Sequence, residues 1–499
     1  MTANSKVLMI QGTGSHVGKS LVTAALCRIF TQDGHRVLPF KAQNMSNNAY
    51  VTRDGGEIGR AQAEQAMACG AEPSVLMNPI LLKPATDVGA QVIVLGRATR
   101  TMAAQEYQAF KPSLQATVLE ALESLRAQAD ILVIEGAGSP AEINLRGSDL
   151  VNMWVAEHAQ AKVLLVGNID WGGVFAQFVG TMELLDPQER RLVRGFLINK
   201  FRGDRALLEP GIRWLERRCG VPVVGTLPFL HDVELLEEDS VADHKRGAPD
   251  AGRPIRIDVV HLPRISNATD FAPLEREPDV QVRYVERPEA DEALPDCLIL
   301  PGSKSTMADL AFVRQQGWDR YLRRCVDAQR EVVGICGGFQ MLGRTILDPH
   351  QTEGRADGMP GLGWLPMRTV FEAEKVVTRV EGLHLESRLP VAGYEIHMGR
   401  LHEESAQRPA FQVTKRSGRA VEDHDGVQSS DGRLWGTYLH GVFDTAAFRR
   451  WWVNRLRGRR GLPAVPDGPA SPSGDPYDRL AQALRPHLDL DALYRILDA

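Results

Sequence analysis

Apolar residues in this chain fall mostly in short, uninterrupted blocks. Six lie in the first half: KVLMIQ (6–11), RVLPFKA (36–42), ADILVIEGAG (129–138), AKVLLVGNID (161–170), VRGFLINKF (193–201) and VPVVGTLPF (221–229). Runs this short and continuous predict strands buried on both faces of a parallel sheet. Helical stretches separate several of them, notably SLVTAALCRIFTQDG (20–34) and SDLVNMWVAEHAQ (148–160). Alternating strand and helix predicts a doubly wound α/β sheet, with ligands beyond the carboxyl ends of its strands. The pattern stops at 236–254, LEEDSVADHKRGAPDAGRP, which is polar, lacks apolar periodicity and reads as a linker. A second α/β unit follows with IRIDVVHLP (255–263), CLILPGS (297–303), EVVGICGGFQML (331–342) and LWGTYLHGVF (434–443). PAVPDGPASPSGDP (463–476) reads as a flexible connection to a short C-terminal helix.

Composition removes several function classes. The formal net charge is −5 with no basic block, so nucleic-acid binding has no electrostatic support. The six cysteines are scattered without a C-x-x-C pair, which argues against a disulfide framework or a cysteine zinc site and fits a reducing cytoplasm. No run of about 18 apolar residues predicts a membrane span. The glycine loop and a helix start already fill the first thirty residues, which leaves no room for a signal peptide.

The first chemistry is written in QGTGSHVGKS (11–20), between a strand and a helix. Backbone N–H groups at such a helix start attract phosphate, a lysine reaches its outer oxygens and a serine holds Mg²⁺. The register is off by one: the usual G-x-x-x-x-G-K-[ST] puts glycine at Thr13, and the nearest glycine, Gly12, comes one residue early. Gly12, Thr13, Gly14, Gly18, Lys19 and Ser20 are the candidate ATP-binding residues, and Ser20 is also a candidate metal ligand. This spacing, G-T-x-[ST]-x-V-G-K-[ST], resembles the loop of dethiobiotin synthetase and its relatives. The resemblance implies transfer of the ATP γ-phosphoryl to a carboxyl oxygen, giving an acyl phosphate with a good leaving group. Glu135, in VIEGAG at a strand end, is a candidate second Mg²⁺ ligand, and Asp170, in NIDWGG at another strand end, is a third. Lys41, in PFKAQN, looks like the relatives' lysine that steadies the transferring phosphoryl group, and Asn199, in NKFRGD, resembles their adenine-reading residue.

The second chemistry is GICGG (334–338) between a strand and a helix, a nucleophile elbow with cysteine in place of serine. Cys336 is the candidate nucleophile and His440, in GTYLHGVF, its candidate base. The oxyanion donors are expected at the Gly337 N–H and in the turn around Gly302 and Ser303. Residues 255–445 resemble the triad-type, or class I, glutamine amidotransferase domain, which implies release of ammonia from glutamine. That family commonly reads H-x-E, the glutamate orienting the histidine, whereas this chain reads His440-Gly441-Val442. With no orienting carboxylate in that place, a slow glutaminase is expected, and Val442→Glu would raise its basal activity.

One half activates a carboxylate and the other makes ammonia, so together they read as a glutamine-dependent amide ligase. The chain resembles, from about residue 6 to 455, the corrin-ring amidases of cobalamin biosynthesis. KAQNMSNNAYVTRDGGEIGRAQAEQAMA (41–68), MNPILLKP (77–84), GGVFAQ (172–177), RISNATDF (264–271) and YEIHMGR (394–400) carry the resemblance. They are similar to the member that amidates the b, d, e and g carboxylates of cobyrinic acid a,c-diamide. The member acting on the a and c carboxylates, which typically has K-x-G-P-D-Y after the second strand, is the alternative. A partitioning-type regulatory ATPase is a second alternative, and GICGG with His440 counts against it. The resemblance implies ATP and Mg²⁺ as cofactors and glutamine, ATP and a corrin carboxylate as small-molecule partners. It implies two doubly wound α/β domains: a phosphate-loop domain (1–236), a linker (237–254), a class I amidotransferase domain (255–455) and a tail with a short helix (456–499). Trp171, in DWGG, stands where arginine is expected.

Overall fold

The computed structural model describes residues 5–86, 89–230, 252–288, 293–353, 357–403, 408–466 and 475–499. Two parallel sheets organise the molecule. In the first, strands lie in the order Val223–Pro228, Val193–Phe201, Lys162–Asn168, Lys6–Gly12, Ile131–Glu135, Val37–Phe40. Every pair is parallel, and the interior positions of the strands are almost wholly buried, as continuous apolar runs require. All six expected strands are present. The helix expected over 20–34 runs Lys19–Gln32, while that over 148–160 is helical only from Met153 to Ala159, after a short 3₁₀ turn.

The second sheet runs Val280–Val285, Ile255–Val260, Cys297–Leu300, Glu331–Ile335, Leu434–Thr437, with the short antiparallel strand Val427–Gln428 at its edge. Its Cys297, Leu298, Ile299 and Leu300 are fully buried in a core that continues through Phe339, Phe443 and Trp452. Three further sheets lie outside the expected pattern, one of them only the two-stranded pair Ala49–Val51 and Glu57–Gly59. A four-stranded sheet is inserted between residues 43 and 103 of the first unit, and a mainly antiparallel sheet built on the long hairpin Met367–His384 and Pro390–Glu403 is inserted in the second.

Most of the linker expected at 237–254 lies outside the described residues, as does much of the connection expected at 463–476. Beyond it the tail forms two helices, Pro476–Leu484 and Leu490–Asp498, where one was expected. They return to the first unit. Leu480, Leu484, Leu493 and Leu497 are buried against the same core as Leu8, Ile10 and Phe30. Each such leucine contributes roughly 1.5–3 kcal/mol on burial. Arg28 ties the first helix to Asp475 and Asp478 at 2.7 Å. Among the described residues, no helix is long and apolar enough to cross a membrane.

Candidate active sites

The glycine loop follows the central strand of the first sheet, at its carboxyl end. The Thr13 N–H donates to Val166 O at 2.9 Å, which continues the strand pairing one step past Gly12. That step absorbs the extra residue in the spacing. Gly18 starts the helix at φ 93°, and a Cβ there would stand 2.2 Å from Asn199 Nδ2. Asn199 is buried and donates to Val17 O at 2.8 Å, so it braces the loop from beneath.

Lys19, Ser20, Lys41 and Glu135 line one cleft of about 440 Å³. Lys19 Nζ donates to Gly14 O at 2.9 Å and Gly138 O at 3.1 Å. Glu135 accepts from Ser20 Oγ at 2.8 Å, Lys41 Nζ at 3.0 Å, Gln62 Nε2 at 3.4 Å, and Gln65. Burial pushes the Glu135 pKa up, but the Lys41 charge and the hydrogen bonds from Gln65, Lys41 and Ser20 outweigh it, and the net shift is downward. An ionised carboxylate beside a hydroxyl, between two lysines, is a donor set that suits a magnesium–phosphate group. Asp170 does not join it. It is exposed, pairs with Arg202 at 3.5 Å and does not line the cleft. Trp171 is 58% exposed, and nothing in the structure explains the missing arginine.

In the second unit Cys336 occupies φ 48°, ψ −104°, a strained conformation for a residue with a side chain, at the start of helix Gly337–Leu342. Backbone crowds the elbow: a Cβ at Gly338 would stand 2.0 Å from Leu300 O. The turn after Cys297–Leu300 closes on the same spot. A Cβ at Gly337 would lie 2.8 Å from Ser303 N, and one at Gly302 would lie 3.1 Å from His440 Cε1. Thus Cys336, Gly337, Gly302 and His440 meet, with the Ser303 backbone nitrogen beside Gly337.

His440 is fully buried, and the Cys336 thiol donates to Ile396 O at 3.7 Å. The His440 Nδ1 lies 2.7 Å from Asp270 Oδ2, and Asp270 Oδ1 accepts the Gly441 N–H at 3.0 Å. Burial alone lowers the His440 pKa, but the charges of Asp270 and Cys336 and their hydrogen bonds prevail and raise it to about 10. Because the fold binds this proton more tightly than the unfolded chain, the resulting stabilisation is complete below about 6.5 and is lost as pH rises through about 10.

Comparison with known proteins gives the family. A model described as the CobQ/CobB/MinD/ParA nucleotide binding domain matches residues 8–241, and one described as the CobB/CobQ-like glutamine amidotransferase domain matches 256–448. The cobyric acid synthase of Dehalococcoides mccartyi (strain CBDB1) is 47% identical, with 99% of each chain covered. That of Desulforudis audaxviator is 49% identical, with 100% of each chain covered. The chain belongs to the cobyric acid synthase family. It is a glutamine-hydrolysing amide ligase.

For this cobyric acid synthase relative, the expectation of an unsupported Cys–His pair is overturned. Asp270 supplies the carboxylate that His440-Gly441-Val442 lacks, from the 3₁₀ turn Ala268–Phe271, 170 residues away. Val442 is 1% exposed and packed in the core, so a glutamate there would bury a second charge rather than restore an orienter. Sequence reading missed Asp270, Gln62 and Gln65. Asp270 stands in the family-like segment RISNATDF, which was the one available signal. Asp270→Asn should lower glutamine hydrolysis about 10²-fold, less than in a serine triad because a thiol needs less help. It should also move the alkaline limb of the pH–rate profile to lower pH, since the main charge raising the His440 pKa is gone. An unchanged profile would show that Asp270 does not govern the ring.

Proposed function

We propose that the cleft around Lys19 binds ATP and a corrin carboxylate, and that the Cys336 site feeds it ammonia, giving successive amidation of the b, d, e and g side chains. A carboxylate oxygen attacks the γ-phosphorus, ADP leaves, and Lys19 and Lys41 offset the charge on the transferring phosphoryl oxygens. Mg²⁺ held by Ser20 and Glu135 would add Lewis-acid neutralisation of the phosphates. Asp170 has no part in that pair. Ammonia then attacks the carbonyl carbon of the acyl phosphate and expels phosphate, leaving the primary amide.

At the second site the Cys336 sulfur attacks the side-chain amide carbon of glutamine. The N–H groups of Gly337 and Ser303 receive the oxyanion, and the Gly302 turn sets their position. The His440 imidazolium protonates the departing ammonia, and water hydrolyses the thioester to glutamate. The observation carrying this reading is the joint occurrence of the Lys19–Lys41–Ser20–Glu135 cleft and the Cys336–His440–Asp270 constellation in one chain. The test is to incubate the protein with ATP, Mg²⁺, glutamine and cobyrinic acid a,c-diamide. Four successive losses of about one mass unit, one per OH-to-NH₂ change, are expected. No amidation of that acceptor, with the a and c positions of cobyrinic acid amidated instead, would favour the alternative member of the family.

A further inference from the structure

Eight large apolar side chains are exposed among the described residues, and four of them gather in one place. Met45 and Leu145 line the cleft that holds Lys19 and Lys41. Ile143 stands two residues before Leu145 on the 3₁₀ turn Ile143–Ser148, of whose six residues none is buried. Leu184 adjoins that turn, its carbonyl accepting from Arg146 Nη1 at 3.1 Å. Met45 and Ile143 are 57% and 65% exposed. Single exposed leucines are ordinary on a protein surface, but a group of four at the rim of a reactive cleft marks a surface that another molecule covers. A second cavity, of about 400 Å³, adjoins the cleft and shares Lys111, Arg146 and Asp149 with it. Arg146 is neutralised by Asp186 at 2.8 Å and by Glu189. Lys111 is not: it donates to Ser148 O at 3.1 Å, lies 5.8 Å from the centre of the Tyr107 ring, and among the described residues has no carboxylate at ion-pair distance. Burial lowers its pKa, and the charge of Asp149 only partly offsets this.

We propose that this apolar rim seats the face of the corrin ring, that the cleft takes one peripheral carboxylate at a time, and that Lys111 holds a second ionised arm of the same ring in the adjoining cavity. This rests on the reading of the cleft as the site of carboxylate activation. A cleft of about 440 Å³ is at the small end of ligand pockets and must hold the nucleotide's phosphates as well, so it admits a side chain and not a macrocycle. The ring then lies outside. A corrin has a broad apolar face with ionised acetate and propionate arms at its edge, which complements an apolar rim with a cation beside it. Apolar contact has no preferred direction. A ring held mainly by its face can be released and seated again with another arm in the cleft, as amidation at four positions requires. Each amidation turns an anionic arm into a neutral amide, so the hold of Lys111 weakens as the reaction proceeds, while that of the rim does not.

The test measures binding of cobyrinic acid a,c-diamide and of its fully amidated product by equilibrium dialysis, read from the visible absorption of the corrin. It uses the full chain with Mg²⁺ and a non-hydrolysable ATP analogue. Met45→Ser and Leu145→Ser should each raise Kd about tenfold for both corrins. Lys111→Ala should raise it about tenfold for the a,c-diamide and less than about threefold for the product, and Lys111→Arg should restore most of the loss. In turnover the rim variants should lose through KM for the corrin, with kcat within about threefold of wild type. Met45 and Leu145 are exposed, so serine leaves the fold intact, and unchanged glutamine hydrolysis and analogue binding verify this. Unchanged corrin affinity in the folded rim variants overturns the proposal. So does a change in self-association in its place, which would make the rim an interface between copies of this chain. Equal losses for both corrins in Lys111→Ala overturn the part given to Lys111. A wild type that binds the analogue but neither the a,c-diamide nor cobyrinic acid overturns the reading of the cleft itself, a result distinct from any failure of the rim variants.

Discussion

Replacing Lys19 by alanine removes amidation whichever nitrogen source is supplied. Neither glutamine nor ammonium can substitute for activation of the carboxylate, and Lys19 is the loop's own cation, poised over it by Gly14 O and Gly138 O. Removing a charged phosphate contact from a phosphoryl-transfer site costs roughly 10³-fold, about 4 kcal/mol of transition-state stabilisation. Lys41, buried against Glu135 at 3.0 Å, cannot move over to replace it without abandoning that carboxylate. Nucleotide-free glutamine hydrolysis should survive, because Cys336 lies in the other unit. Amide formation with saturating ammonium is the measurement, and a rate within threefold of wild type would reduce the loop to a strand-to-helix turn.

The two parallel sheets were legible because burial on both faces leaves a one-dimensional trace. KVLMIQ and CLILPGS carry no polar alternation, and each strand lies where its run lies. The antiparallel sheet of the second unit left no such trace. Its strand Met367–His384 reads MRTVFEAEKVVTRVEGLH, with exposed charged residues interleaved among buried apolar ones, and it pairs with a hairpin partner rather than hiding in a core. The elbow and the loop were legible because glycine is required wherever backbone approaches within a few ångströms, so the chemistry and the spacing are written together. Asp270 was not. A carboxylate that serves a histidine 170 residues away obeys no local spacing, and the H-x-E pattern directed attention to Val442, whose side chain faces the core. Asp170 shows the opposite error. Its strand end points in the expected direction, yet its side chain turns to Arg202.

Cys336→Ala should abolish glutamine-driven synthesis, by about 10⁴-fold or more, and leave ammonium-driven synthesis near the wild-type rate. Alanine keeps the Cβ that the strained φ of 48° already accommodates, so the elbow is no more crowded than before and the fold should hold. What goes is the sulfur, and with it the thioester; no neighbouring group can take its place, since His440 is buried between Asp270 and Asn267. Losing the sulfur also removes one of the charges that raise the His440 pKa, so the imidazole should titrate below about 10 in the variant, a shift that NMR of the ring would register. Free ammonia needs neither residue. At alkaline pH, where a larger share of added ammonium is unprotonated, the variant should amidate the corrin acceptor with ATP alone. If it is as inactive with ammonium as with glutamine while its nucleotide binding is intact, ammonia must reach the acyl phosphate only by way of an intact Cys336 site, and the two chemistries would not be separable.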